Sequence, residues 1–323
     1  MKFSANSLKK LVKGACYFET DKGYLLSYKY CKSQLDMMNK EGYDEFWRDR
    51  GSFTAGIRLE LKTNSPFISF DYKSFKGTDL TARSNSVDIY VDGVLYSAMH
   101  LENDKGNVYV ELPKGEKLVT VYLPTDCKFA IKNFIIDGSY KSIKDKGQKV
   151  LVIGDSITQG YGPMISSASY FNELQRITGY NMLNQGIGGY RCEPQDLMYV
   201  EGFEPDKIIT FLGTNWYDAP DQYDYEKATV DFYKRLTELY PNKQIIAISP
   251  LWRGDAGVDR ERFNWCVEIV KRECKKYASI IPVDGHTLVP HVEECFCDML
   301  HPNEYGCMLL AHNIHKIMKK IKF

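Results

Sequence analysis

Three short polar blocks carry side chains that could share one reaction. Gly154-Asp155-Ser156 sets a hydroxyl directly after the apolar run VLVI at 150–153. Gly213-Thr214-Asn215 sets a carboxamide after the run at 208–212, and Asp298-Met299-Leu300-His301 sets a carboxylate three residues ahead of an imidazole. Acyl transfer needs this inventory: a nucleophile, a base, a carboxylate to orient the base, and donors for the oxyanion. Ser156 would attack, His301 would take its proton, and Asp298 would hydrogen-bond the distal ring nitrogen and fix the tautomer. The N–H groups of Ser156 and Gly189 and the side-chain amide of Asn215 would form the oxyanion hole. Gly189 comes from a fourth block, NQGIGGYR at 184–191. The positive end of a helix starting just past Ser156 would favour the same charge.

Each block also has an ordinary account. Serine is favoured as a helix N-cap, glycines serve tight turns, and asparagine closes Asx-turns. Asp298 could cap a last helix while His301 stays idle. Those accounts do not predict that three of the blocks follow strands and the fourth precedes the final helix, so that all four fall where one sheet gathers its loops.

The elements that must position them change grammar near the middle of the chain. Residues 53–136 read as strands: AGIRLELKT, PFISFDYKSF, VDIYVDGVLYSAM, NVYVELP and KLVTVYLP alternate apolar and polar residues at period two. Asp92-Gly93 between two such runs is a strong hairpin signal. Short strands separated by Gly, Pro, Asn and Asp turns predict a β-sandwich of jelly-roll type. Residues 1–50 show less pattern, with an edge strand near 23–30 and a helix near 33–39. The Gly/Ser/Lys-rich stretch DGSYKSIKDKGQ at 137–148 marks the boundary, so the expected domains are 1–140 and 141–323.

Beyond it, solid apolar runs at 150–153, 208–212, 244–248 and 280–283 alternate with helical patterns near 167–178, 225–240, 259–277 and 304–321. Strands buried on both faces and separated by helices predict a three-layer α/β/α domain around a parallel sheet. Ligands in such folds sit at the C-terminal strand ends, where the first three blocks stand and where the loop ahead of the last helix would bring the fourth.

These blocks resemble those of the SGNH (GDSL-type) hydrolases, which contribute Ser, Gly, Asn and His in that order. GDSITQG matches the first block, NQGIGG the second, LGTN the third and DMLHP the last. Gly189 aligns on the oxyanion glycine, with Gly188 the alternative one residue away. The resemblance covers about 149–322 and implies metal-free ester hydrolysis without a cofactor. The third block departs from the usual Gly-x-Asn-Asp, because Trp216 follows Asn215; local loop geometry is the feature this puts in question.

Other assignments fare worse. G-x-S-x-G fails because Thr158 stands at the second glycine position, and there is no Gly-Lys-Ser/Thr phosphate loop. GIGG does not complete a dinucleotide fingerprint. His291, Cys295, Cys297 and His301 cluster within eleven residues, but no second cysteine pair at finger spacing accompanies them, and no metal is expected. His286 follows a strand end directly, yet it lacks the Asp-x-x-His partner and reads as structural or pocket-lining.

Composition narrows the partners. The chain's 42 basic and 42 acidic residues cancel, which argues against nucleic acid and against an anionic membrane surface. Nine cysteines at no framework spacing read as reduced thiols. No apolar stretch resembles a signal peptide or a membrane span, so a cytoplasmic protein is the expectation. Oligomeric state, homo-oligomers included, is left open.

A jelly-roll module ahead of an SGNH domain resembles the two-domain carbohydrate esterases that remove acetyl groups from plant polysaccharides. The expected substrate is therefore a small-molecule or oligosaccharide ester. Asp155, Arg191, Trp216 and Trp252 are candidates to contact it, with Tyr217 beside them; an indole face can stack on a sugar ring, although any one of these aromatics could simply be packing. Two rival functions stand alongside. One is a lipid-type acyl esterase or thioesterase of the same superfamily, the other a non-catalytic sugar-binding protein.

Overall fold

The computed structural model describes residues 1–76, 84–191, 193–216 and 222–323, so Cys192 and Tyr217 lie outside the described residues. The chain begins with helix α1 (Ala5–Lys9), strands β1 (Val12–Lys13), β2 (Tyr17–Asp21) and β3 (Tyr24–Tyr28), then helices α2 (Lys32–Met38) and α3 (Glu45–Gly51). Eight strands follow: β4 (Arg58–Thr63), β5 (Phe67–Lys76), β6 (Ser86–Val91), β7 (Val94–His100), β8 (Lys105–Glu111), β9 (Lys117–Tyr122), β10 (Cys127–Ile136) and β11 (Tyr140–Ser142).

Their alternation makes two antiparallel sheets. One runs β1-β4-β9-β6-β7 with β11 on β4, and the other runs β2-β3-β10-β5-β8. Leu59, Ile89, Val119 and Val121 from the first meet Ile68, Phe70, Val108 and Phe129 from the second in one apolar core. Pleating sends every second side chain inward, which is why period two in the sequence becomes a sandwich. Asp92 (φ 50°) and Gly93 (φ 84°) turn the β6–β7 hairpin, both left-handed as a type I′ turn requires.

Two expectations need correction. The strand near 23–30 is not an edge, because β3 is buried throughout and lies between β2 and β10. The edge falls to β2, whose YFETD carries no clean alternation. Strand β10 falls inside the expected span 53–136 but matches none of the alternating runs, because its period breaks: the register shifts between Lys132 and Ile135, where Asn133 adopts φ 52°.

The second half contains β12 (Lys149–Gly154), α4 (Ser156–Gln159), α5 (Tyr170–Thr178), β13 (Asn181–Gly186), β14 (Lys207–Phe211), α6 (Gln222–Leu239), β15 (Gln244–Ile248), α7 (Arg260–Cys274), β16 (Ile280–Val283) and α8 (Glu304–Lys320). Its parallel sheet has the order β13-β12-β14-β15-β16. Leu151, Ile153, Ile208 and Ile245 face Phe232, Leu236, Cys266 and Ile269 of α6 and α7. Val150, Val152, Ile209 and Ile246 face Phe171, Leu174, Leu310 and Ile314 of α5 and α8. Strands β12, β14 and β15 are therefore apolar on both sides, and their solid runs reflect two cores rather than one.

The two halves are packed together. Tyr30, Cys31 and Met38 from the first half join the core formed by the sheet with α6 and α7. Gly56 sits where chain approaches chain: a Cβ built there would lie 2.7 Å from the Asn184 Cβ and 2.8 Å from Phe171, at φ +76°. Strand β13 is the polar edge of the parallel sheet, and its buried Gln185 donates to the Gln34 side chain of α2 at 3.0 Å. Among the described residues no helix is long and apolar enough to cross a membrane.

Candidate active site

Strand β12 lies between β13 and β14, so the chain departs to opposite sides of it and leaves a crevice at its C-terminal end. Gly154 closes the strand, in register with Gly186 of β13 and Phe211 of β14. A Cβ on Gly186 would fall 2.2 Å from the Gln159 nitrogen, so glycine is what lets α4 turn back over the strand ends.

Asp155, not Ser156, caps that helix. Its carboxylate accepts the Ile157 N–H at 3.0 Å and is 1% exposed. Burial pushes Asp155 up to about 6, against the opposing pull of the Ile157 N–H and of His301 nearby. It therefore presents no surface for a substrate to touch, contrary to expectation. Ser156 is the first residue of α4, where the N–H has no carbonyl partner within the helix. The helix has only four residues and ends at Gly160 (φ 107°), so the expected dipole reduces to the N–H groups of one turn.

The Ser156 Oγ lies 2.9 Å from His301 Nε2, and His301 Nδ1 lies 2.8 Å from Asp298 Oδ2. The other Asp298 oxygen accepts the N–H groups of Leu300 and His301 at 3.1 and 2.7 Å. Burial opposes ionisation of Asp298, but the His301 ring and these two N–H groups outweigh it and hold the carboxyl well below the usual range. An ionised carboxylate only accepts, so the proton sits on Nδ1 and Nε2 is left to accept from the serine hydroxyl. Asp298 does not cap α8; Asn303 does, accepting the Gly306 N–H at 3.0 Å. The Tyr161 ring meets His301 edge-on at 4.6 Å.

On one flank, the Asn215 amide nitrogen donates to the Tyr190 carbonyl at 3.0 Å. That nitrogen carries two protons, so one remains for a ligand. Arg253 steadies this loop: it donates to the Thr214 carbonyl at 3.3 Å and pairs with Asp255. On the other flank, the Gly188 N–H is taken by Gln159 Oε1 at 2.8 Å. No acceptor for the Gly189 N–H occurs among the described residues. Gly189 adopts φ 73°, and a Cβ there would lie 2.7 Å from Phe46 Cε1. Between the two glycines, geometry favours Gly189 as the donor.

The remaining candidates are brought less clearly to the site. Trp216 is 8% exposed and packs at 5.5 Å on Tyr225, with its Nε1 donating to the Arg191 carbonyl. It occupies the usual acidic position of the third block as core, not as a sugar platform. Arg191 lies over the Trp216 ring at 5.7 Å and donates to the Asn215 carbonyl at 3.1 Å, bracing the loop. Trp252 has one face covered by His291, stacked at 5.2 Å. No group of three or more His, Cys, Asp or Glu side chains spaced for a metal ion is found among the described residues. Tyr161, Phe46 and Trp47 were not anticipated. Asp44 caps α3 by accepting the Trp47 N–H, a signal visible in sequence, but nothing local says where that helix docks.

Residues 152–309 match the model of the GDSL-like lipase/acylhydrolase family. No curated protein sequence matches the chain. Among solved structures, a GDSL-like lipase from Bacteroides ovatus is similar with a TM-score of 0.81 at 20% identity, over 99% of this chain and 97% of that one. A salicylyl-acyltransferase from a tetracycline biosynthetic pathway has a TM-score of 0.77 at 20% identity, over 100% and 97%. An acetyl xylan esterase from the rumen bacterium Butyrivibrio proteoclasticus has a TM-score of 0.67 at 15% identity, over 99% and 98%. At such identities these structures speak for the fold, sandwich and α/β half together. The segment 152–309 is thus a GDSL-like lipase/acylhydrolase domain, the domain of an ester hydrolase.

Proposed function

We propose that this protein is a serine esterase that removes acetyl or other short acyl groups from carbohydrate hydroxyls. The observation that carries the reaction is the continuous hydrogen-bonded line from Ser156 through His301 to Asp298. The carbohydrate assignment is supported by likeness in fold to an acetyl xylan esterase over nearly the whole of both chains.

The chemistry follows from the geometry. Ser156 Oγ attacks the acyl carbonyl as its proton passes to His301 Nε2. The imidazolium that forms lies against the ionised Asp298. Negative charge on the former carbonyl oxygen is met by the N–H groups of Ser156 and Gly189 and by the free proton of the Asn215 amide. Collapse breaks the bond to the sugar oxygen, which takes the proton from His301 and departs as a hydroxyl, leaving an acyl-serine. Water, deprotonated by the same nitrogen, then attacks the acyl carbonyl, and collapse breaks the bond to Ser156 Oγ, which recovers the proton from His301 as the acid leaves.

Asn215→Ala is expected to lower kcat by about 10²- to 10³-fold, the cost of one oxyanion donor. Its thermal melt should stay near wild type, since the side chain is half-buried and the bond lost is the one to the Tyr190 carbonyl. Steady-state kinetics beside a melting curve measure both.

The substrate class is tested by acetate release from acetylated xylo-, manno- and gluco-oligosaccharides, with nitrophenyl esters of increasing chain length run in parallel. Activity that peaks at acetyl, with release from at least one oligosaccharide, is the expected result. A maximum at octanoyl or longer points instead to a lipid-type esterase, and no hydrolysis of any ester would leave only sugar binding.

A further inference from the structure

The loop 186–190 carries the Gly189 N–H, and its other backbone groups are tied down one after another. The Gly186 N–H is held by Asn184, the Ile187 N–H by the Gly154 carbonyl and the Gly188 N–H by Gln159. Two carbonyls of the same loop are held from the other half of the chain. Lys29 Nζ donates to Gly186 at 2.5 Å, and Trp47 Nε1 donates to Gly189 at 3.2 Å. Gln159 is itself held by Asp126 Oδ1 at 2.9 Å, whose second oxygen accepts the Ser84 N–H at 3.0 Å.

We propose that Lys29 and Trp47 are positioning residues, through which the β-sandwich half keeps the oxyanion loop in its working shape. This rests on the reading of Gly189 as an oxyanion donor. The sandwich then has a part in turnover, whether or not it also binds sugar.

Packing alone is a poor explanation for Lys29. Its side chain is fully buried, and an ammonium removed from water is costly unless its contacts repay it. Burial lowers it to about 7, with Asp126 pulling the other way. A methionine would fill similar space without that cost but could not hold a carbonyl. Trp47 acts from the opposite side. Its ring meets Tyr190 edge-on at 5.1 Å, and the neighbouring Phe46 occupies the space a Cβ on residue 189 would need. With φ at 73°, Gly189 is free to swing unless its carbonyl is held.

The full-length chain is assayed on nitrophenyl acetate, which needs no assumption about the sugar, and with a phenylboronic acid that forms a tetrahedral adduct on the serine. Lys29→Met should lower kcat by about 10- to 100-fold, short of the loss for deleting a donor outright, with KM within about threefold. Trp47→Phe keeps the aromatic packing and loses only the donor; a fall of about 3- to 10-fold with the same split is expected. In both, boronate affinity should weaken in step with kcat, which a mere change in stability would not produce. Folded variants with wild-type kcat, or with reduced kcat but unchanged boronate affinity, would overturn the proposal. Should Lys29→Met fail to fold, Trp47→Phe decides alone. Wild type inert toward nitrophenyl acetate would overturn the esterase reading, and this one with it, before any variant is made.

Discussion

Ser156→Ala is expected to lower turnover of acetyl esters on the order of 10⁴- to 10⁶-fold, leaving what the oxyanion donors achieve unaided. The substitution removes the oxygen that His301 Nε2 faces at 2.9 Å. It costs the fold little, because the cap of α4 is Asp155 and its bond to the Ile157 N–H survives. The melting temperature should therefore stay close to wild type while kcat collapses. Rapid acid quench followed by intact-mass measurement checks the covalent step: wild type should carry an acetyl group and the variant none. Turnover within a hundredfold of wild type would sink the assignment of Ser156.

Asp298→Asn is expected to cost about 10³- to 10⁴-fold in kcat, although it changes one atom. The retained oxygen can still accept the N–H groups of Leu300 and His301, so the turn persists. The new amide, however, points an N–H at His301 Nδ1. That favours the tautomer with its proton on Nε2, where it meets Ser156 and cannot accept. The variant also tests linkage. The native carboxyl is held below its unfolded value, so its contribution to stability is full above the unfolded pKa and fades as pH falls toward the native one. The stability gap between wild type and Asp298→Asn should narrow in acid. A variant with kcat within tenfold of wild type, or a gap that widens in acid, would argue against this role for Asp298.

Much of this arrangement was legible locally. Solid runs such as 150–153 and 244–248 mark strands covered on both faces, and Asp92-Gly93 marks a hairpin, because burial and turn conformation constrain residue type directly. The three-residue step from Asp298 to His301 is short enough to read as a contact. Where local pattern and long-range context compete, reading failed. Strand β10 hides behind a bulge, and β3 reads as an edge although β2 covers it. Asp155, Trp216 and Arg191 stand beside site residues in sequence, which made them look like substrate contacts. Their side chains turn instead into a cap, a core and a brace.

By itself the sequence determined the two grammars, the order of the chemical blocks and the reaction class they imply, since each depends on residues close together or on a period. Only the tertiary structure decided what surrounds those blocks. Lys29 is one lysine among many until β3 carries it to the Gly186 carbonyl, 157 residues away. Trp47 is one aromatic until α3 brings it onto Gly189, 142 residues away. Contacts at such separation leave no period in the chain, because they arise only when two independently patterned halves are packed face to face.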